Sequence, residues 1–209
     1  MRPRVTRADA VVEAARRCIA ERGFLGADID DIAREAGVSR ATVYRYAGGK
    51  AALIRDVLIA ECGELIGRIS TAVDEADDGP DALRRLVATG MGGIRTQPVL
   101  ARATGPDLRA VLPTLTVDGG PLIGRCAQLL TPVLERAQAR GHLDASFPAP
   151  AFAEHVVRFV LGLIHTPTLG SDSHDPRAAA ERALRVFGPA ILVRPADSAA
   201  VADRAGEVA

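Results

Sequence analysis

Apolar residues recur at three- and four-residue spacing along most of the chain, and the pattern stops only at clusters of Gly, Pro and Asp. Val11, Ala15, Cys18 and Ile19 share one helical face, which predicts a helix over about 7–22. Thr6 stands where its N-cap belongs, and Asp9 in the first turn complements the helix dipole. Gly23 ends this helix, and Phe24 and Leu25 are expected to pack as the chain turns. Asp28 is the next cap, with Asp31 three residues on as a variant capping box. Ile29, Ile32, Ala33 and Ala36 form the apolar face of a short second helix, and Gly37 suits the left-handed conformation past its end. Val38 turns inward, and Ser39 caps a third helix over about 40–46. A helix, a short turn containing Gly and a second helix, braced by an earlier one, make a helix-turn-helix.

The helical period continues beyond this unit. Leu53, Ile54, Val57, Leu58, Leu65, Ile66, Ile69 and Val73 predict a long amphipathic helix over 50–75, broken by Asp77-Asp78-Gly79-Pro80. A helix over 81–96 follows, and the stretch 97–120 reads as broken by Pro98, Gly105-Pro106, Pro113 and Gly119-Gly120. Helices resume over about 121–140, 150–165 and 176–193. The closing segment 195–209 is small and polar and reads as a disordered tail. No segment shows a strand period, and there is no internal repeat. The fold class is all-α.

Composition narrows the picture. With 3% aromatic residues and no Trp among 209 residues, the core is built from Ala, Val, Leu and Ile. The net charge is +0, yet residues 1–55 carry eleven basic side chains against seven acidic ones, an imbalance suited to a polyanionic partner. Cys18, Cys62 and Cys126 lie far apart with no metal-ligand spacing, which fits a reducing compartment and a role in packing. No apolar run reaches the roughly 18 residues of a membrane span, and MRPRVTRADA lacks a signal core. A cytoplasmic protein without a membrane partner is expected. Three scattered Cys and four His supply no catalytic constellation, so neither an enzyme nor a cofactor is expected. GMGGIR follows no strand and lacks the Walker lysine, and SDSHD (171–175) reads as a polar turn rather than a metal site.

The third helix gathers scarce side chains. Both tyrosines, Tyr44 and Tyr46, and the only lysine, Lys50, fall within VSRATVYRYAGGK. With Val43 facing the core, a turn of about 100° per residue points Ala41 and Arg45 outward, flanked by Thr42 and Tyr44. Arg45 can fork onto guanine, and Ala41 and the Thr42 methyl can meet thymine. The two phenols can hold phosphates. Arg40 can reach a base or a phosphate. Lys50, opening the next helix, reads as a phosphate clamp. On periodicity alone an alternative stands, with Tyr44 and Tyr46 as half-buried packers and Arg45 as a solvated charge.

The span IDDIAREAGVSRATVYRYAGGKAALI resembles the DNA-binding domain of the TetR family of transcriptional regulators. The matching positions are Asp31-Ile32-Ala33, Ala36-Gly37-Val38-Ser39, Thr42-Val43-Tyr44, Lys50 and Leu53. The chain departs from the family pattern at Asp28, where Ser or Thr is usual; at Tyr46-Ala47, in place of His-Phe; and at Gly49, in place of Ser or Asn. The resemblance implies a homodimer that sets helix three of each subunit in a major groove of a palindromic double-stranded DNA operator. It also implies a small-molecule effector, of unknown identity, that releases a repressor. DNA contacts are expected from Arg4, Thr6, Ser39, Arg40, Ala41, Thr42, Tyr44, Arg45, Tyr46 and Lys50. The arm MRPRVTR is either a source of groove contacts through Arg2 and Arg4 or a frayed terminus.

The implied organisation is an N-terminal three-helix DNA-binding domain over 1–49, with the motif at about 28–47, and a C-terminal helical ligand-binding and dimerisation domain over 50–194. Met91, Arg95, Ile123, Gln128 and His155 are candidate pocket residues, although Glu154 and Arg158 also have the spacing of a surface ion pair. Val156, Val160, Leu163, Ile164, Leu184, Phe187 and Ile191 are candidate dimer contacts, with an intramolecular core as the alternative. Two other functions remain open: a helical enzyme or small-molecule carrier with a vestigial helix-turn-helix, and an architectural DNA binder.

Overall fold

The computed structural model describes residues 6–115, 120–165 and 175–192, with backbone alone for 163–165. The described residues form ten α-helices and no strand: α1 (Arg7–Gly26), α2 (Ile29–Glu35), α3 (Arg40–Ala47), α4 (Lys50–Asp74), α5 (Gly79–Thr96), α6 (Pro98–Thr104), α7 (Leu108–Leu115), α8 (Gly120–Ala139), α9 (Ala149–His165) and α10 (Pro176–Ile191). Arg2, Arg4, the loop 171–174 and the tail 195–209 lie outside the described residues. Contacts group the described chain into two compact units. One holds residues up to Glu64 together with Ile94–Cys126, and the other holds Leu65–Gly93 together with the residues from Ala127 onward.

In the first unit, α1 buries Val11, Ala14, Ala15, Cys18 and Ile19. A full capping box opens it: Thr6 Oγ1 accepts from Asp9 N at 3.1 Å, and Thr6 N donates to Asp9 Oδ2 at 2.8 Å. The bond from the Thr6 backbone amide, with that from its hydroxyl, holds the Asp9 carboxyl below its ordinary pKa. The box expected at Asp28 is only half made. Asp28 Oδ1 accepts from Asp31 N at 2.9 Å, but the Asp31 carboxylate binds Arg22 and Arg34 instead of reaching back.

Gly23, at φ 79°, breaks the helical backbone near the end of α1. A Cβ there would lie 2.5 Å from Asp107 Oδ2. Asp107 accepts from Phe24 N at 3.2 Å, while Arg102 donates to the carbonyls of Ala20 (3.0 Å) and Glu21 (3.1 Å). Those carbonyls have lost their intrahelical partners at the kink. The kink buries Phe24 and leaves Leu25 78% exposed. The expectation that both pack is corrected for Leu25.

A second correction concerns 97–115, which folds into α6 and α7 despite its Pro and Gly residues. Pro98 sits at the start of α6, where a missing N–H costs nothing. Gly105-Pro106 falls between the helices, and Pro113 is tolerated in the last turns of α7. Burial of Val99, Leu100, Ala103, Val111 and Leu115 stabilises both helices.

One charged cluster crosses this core. Glu61 of α4 is fully buried, and Arg16 of α1 donates through Nε to its Oε1. The other two nitrogens of Arg16 clasp Glu64, each at 2.6 Å. Burial pushes the Glu61 carboxyl above its ordinary pKa, and Arg16 opposes that shift.

In the second unit, Arg136 bridges to Ser70 and Asp74, Arg84 binds Glu181 at 2.8 Å, and Asp144 N donates to Ile191 O at 2.9 Å. Ala82, Leu83, Leu134, Ala137 and Leu143 are buried here. A small apolar cleft is lined by Val73, Leu86, Leu134, Phe152, Val156 and Ile191, among other apolar side chains.

Candidate DNA-binding site

The site is built on the turn between α2 and α3. The end of α2 closes on itself: Gly37, at φ 65°, donates to Arg34 O at 3.2 Å, and Val38 N donates to Ala33 O at 3.0 Å. Ser39 then starts α3, its Oγ accepting from Thr42 N at 3.2 Å and lying 2.9 Å from Thr42 Oγ1. Val43 is fully buried and pins the helix to the unit. Gly48 caps the end in the left-handed conformation, φ 72°, and Gly49 follows at φ 133° before Lys50 opens α4. The family's residue before the lysine has a side chain, and this chain places backbone there that only glycine adopts readily.

The outward face carries the predicted mixture. Ala41 and Arg45 are exposed, Thr42 is half-buried, and Tyr44 and Tyr46 are 44% and 43% exposed. Both tyrosines lie outside the core, each with more than two-fifths of its surface exposed. Arg45 lies over the Tyr46 ring at 5.1 Å and forms no ion pair with a carboxylate among the described residues. Arg40 does, donating from Nη1 to both oxygens of Asp30 at 3.2 Å.

Lys50 also has a contact within the fold. It is half-buried, and its Nζ donates to Leu25 O at 3.4 Å, tying the start of α4 to the end of α1. An ammonium has two further donors, so a phosphate contact remains open to it. Thr6 spends its hydroxyl on the α1 cap, as Ser39 does on α3.

Electrostatics sharpen the site beyond what the charge count shows. Arg17 pairs with Glu35 and Glu13, Arg22 and Arg34 with Asp31, and Arg16 with Glu61 and Glu64. Those pairings neutralise most of the basic excess on α1 and α2. Among the described basic side chains up to residue 55, Arg7, Arg45, Lys50 and Arg55 form no ion pair with a carboxylate, and two of these, Arg45 and Lys50, lie on or just after α3.

Removing the α3 cap tests how far the surface depends on its support. Ser39→Ala is expected to lower stability by about 1 kcal/mol, read from the midpoint of urea unfolding.

The remaining candidates fall apart by burial. Met91 and Ile123 are buried, 8% and 7% exposed, whereas Arg95, Gln128 and His155 are exposed on their helices. The interior placement read for those three is corrected. Nδ1 of His155 lies 2.7 Å from Ala151 O, and Arg158 pairs with Glu154 at 2.8 Å, so α9 satisfies its own polar groups. Val156, Val160, Leu184 and Phe187 are half-buried, while the Leu163 and Ile164 side chains lie outside the described residues. Ile191 is buried within the second unit and lines its apolar cleft, which removes it from the expected interface face. No set of three or more His, Cys, Asp or Glu side chains is placed for a metal among the described residues. No described helix is long and apolar enough to cross a membrane.

A short helix seated by Val43, presenting guanidinium, phenol and small side chains beyond a Gly-containing turn, defines a helix-turn-helix DNA-binding protein. Residues 11–57 match the family model for bacterial regulatory proteins of the tetR family. Residues 11–57 thus carry a DNA-binding domain of the tetR family, and the curated relatives matched over most of the chain are HTH-type transcriptional regulators. The chain is similar to an uncharacterised HTH-type transcriptional regulator of Mycobacterium tuberculosis, 27% identical over 187 residues, covering 88% of this chain and 86% of the relative. It is also similar to the regulator AlkX of the same species, 25% identical over 186 residues, with 86% and 83% covered. Its fold matches the TetR-family repressor AlkX of Dietzia sp., implicated in n-alkane biodegradation, at a TM-score of 0.71 and 24% identity, covering 88% of this chain and 94% of that one.

Proposed function

We propose that the protein is a ligand-responsive repressor that binds a palindromic operator as a homodimer and is released by a small apolar effector. The observation that carries the DNA-reading part is the exposed α3 face, with Arg45 outside every ion pair described and Val43 fully buried behind it. Residues 1–49 are the reading head. Ala41, Thr42 and Arg45 meet bases, and Tyr44, Tyr46 and Lys50 meet phosphates, with the arm at Arg4 and the α1 start at Thr6 adding backbone contacts. Residues 50–194 serve effector binding and dimerisation. A cytoplasmic site of action accords with three free thiols.

Two features support the effector and the dimer. The cleft in the second unit is lined by apolar side chains alone; at about 20 Å³ it is closed to a ligand, so an aliphatic effector would have to widen it, and a relative of similar fold is implicated in n-alkane biodegradation. Buried Met91 and Ile123 are further candidates for ligand contact. On α9 and α10, Phe159 and Val186 are 40% and 62% exposed, and the Phe159 and Phe187 rings meet edge-on at 4.8 Å. Exposed apolar side chains on neighbouring helices, beside half-buried Val160 and Leu184, suit a four-helix interface between two copies.

Phe159→Glu is expected to raise the monomer–dimer midpoint about tenfold or more without lowering the far-UV helical signal. Analytical ultracentrifugation reads it, and an unchanged midpoint would remove α9 from the interface. Operator release is tested by titrating aliphatic compounds into a preformed DNA complex. No release by any chain length would count against the effector reading.

A further inference from the structure

We infer that Asp30 is a positioning residue for base reading, holding Arg40 in the orientation in which it recognises one guanine of the operator half-site. The inference rests on the DNA-reading role proposed for α3. Asp30 is the second residue of α2, and Arg40 is the first of α3. The turn between the helices brings them together, so that Nη1 of Arg40 lies 3.2 Å from both carboxylate oxygens. Tyr44, one turn further along α3, closes the other side, with the guanidinium carbon 5.8 Å from its ring centre. Arg40 is thus held from two directions, by an acid on one helix and an aromatic ring on its own.

Fold stability does not account for this pair. Both side chains are 60% exposed, and exposed ion pairs contribute little. Elsewhere in the unit, Arg22 binds Asp31 and Arg17 binds Glu35, contacts that brace α1 against α2. An acid placed beside the DNA-reading helix repels phosphate, a cost for any protein whose affinity comes largely from the backbone. That cost is offset if the acid fixes a flexible guanidinium for a base edge. First-turn residues of a recognition helix are those that reach base edges. A guanidinium has five N–H donors, and engaging Nη1 leaves Nε and Nη2 to fork onto guanine O6 and N7. Arg45, beside Tyr46 with no acid, lacks such a constraint.

The test uses the full chain and a pool of operators randomised over one half-site, with Asp30→Asn, Arg40→Ala and the double variant compared with the unmodified protein. Arg40→Ala is expected to reduce the preference for guanine at one base-pair position about tenfold or more. Asp30→Asn is expected to reduce preference at the same position about three- to tenfold, while binding to random DNA is not weakened. The double variant should match Arg40→Ala within about twofold, because both substitutions remove one function. Three results overturn the inference: Asp30→Asn leaves the preference intact; it shifts the preference at a different position, which makes Asp30 a direct reader; or its effect persists undiminished in the Arg40→Ala background. If the unmodified chain selects no sequence at all, the DNA-reading role itself fails, and this inference fails with it.

Discussion

Arg16→Met is expected to destabilise the protein by about 3–5 kcal/mol at neutral pH. The substitution keeps much of the apolar stem but leaves Glu61, fully buried in α4, without its one cationic partner among the described residues. A buried carboxylate stripped of its cation either stays charged at high cost or takes up a proton. The variant Arg16→Met/Glu61→Gln should recover most of the loss, because a neutral amide in the same space needs no counter-charge.

The pH dependence follows from the direction of the Glu61 shift. Burial raises its pKa in the folded protein. Between the ordinary carboxylate range and that raised value, the folded state therefore binds more protons than the unfolded state. In that window stability falls as pH rises. Removing Arg16 takes away the influence that lowers the folded pKa, so the window widens upward. The deficit of Arg16→Met should be largest near neutral pH and shrink as the solution is acidified toward pH ~4.5, and chemical denaturation across that range reads it. A deficit that is small, or independent of pH, would show that the Arg16–Glu61 contact does not carry this charge.

Arg45→Ala is expected to cost about 1–3 kcal/mol of discrimination between the operator and random DNA, with a smaller loss on random DNA alone. Arg45 is exposed, lies 5.1 Å over the Tyr46 ring and is committed to no carboxylate, so removing it leaves the fold unchanged. Tyr44→Phe and Tyr46→Phe, which delete the hydroxyls proposed to hold phosphates, should weaken binding to all sequences to a similar degree. Equal losses on operator and random DNA for Arg45→Ala would make it a backbone contact rather than a reader.

The reading head was legible because its signals are local. Thr6, Asp28 and Ser39 mark helix starts by chemistry confined to three residues, and Gly37 marks an end by a conformation few other residues accept. The outward face of α3 followed from Val43 and the helical period alone. Contacts that span the chain left no such trace. Arg16 meets Glu61 across 45 residues, and Lys50 meets Leu25 O across 25. The Asp30–Arg40 pair depends on the angle the turn sets between two helices. The helices at 98–115 were missed because Pro98 was read as a breaker, although at a first helical position it does not break. The exposure of Arg95, Gln128 and His155 was hidden for a different reason. Periodicity identifies an apolar face, but a polar residue beside it, as at Arg95 or His155, can point inward or outward depending on neighbours that sequence spacing does not supply.

The central claim, that α3 reads DNA, is tested most directly by a gel-shift titration of the full chain against the DNA upstream of its own gene, with Arg45→Ala alongside. The predicted result is a sequence-specific complex at one two-fold-symmetric site, with affinity falling steeply as salt rises, and a selective loss of that complex with Arg45→Ala. Binding without sequence preference, or specific binding that Arg45→Ala leaves untouched, would contradict it.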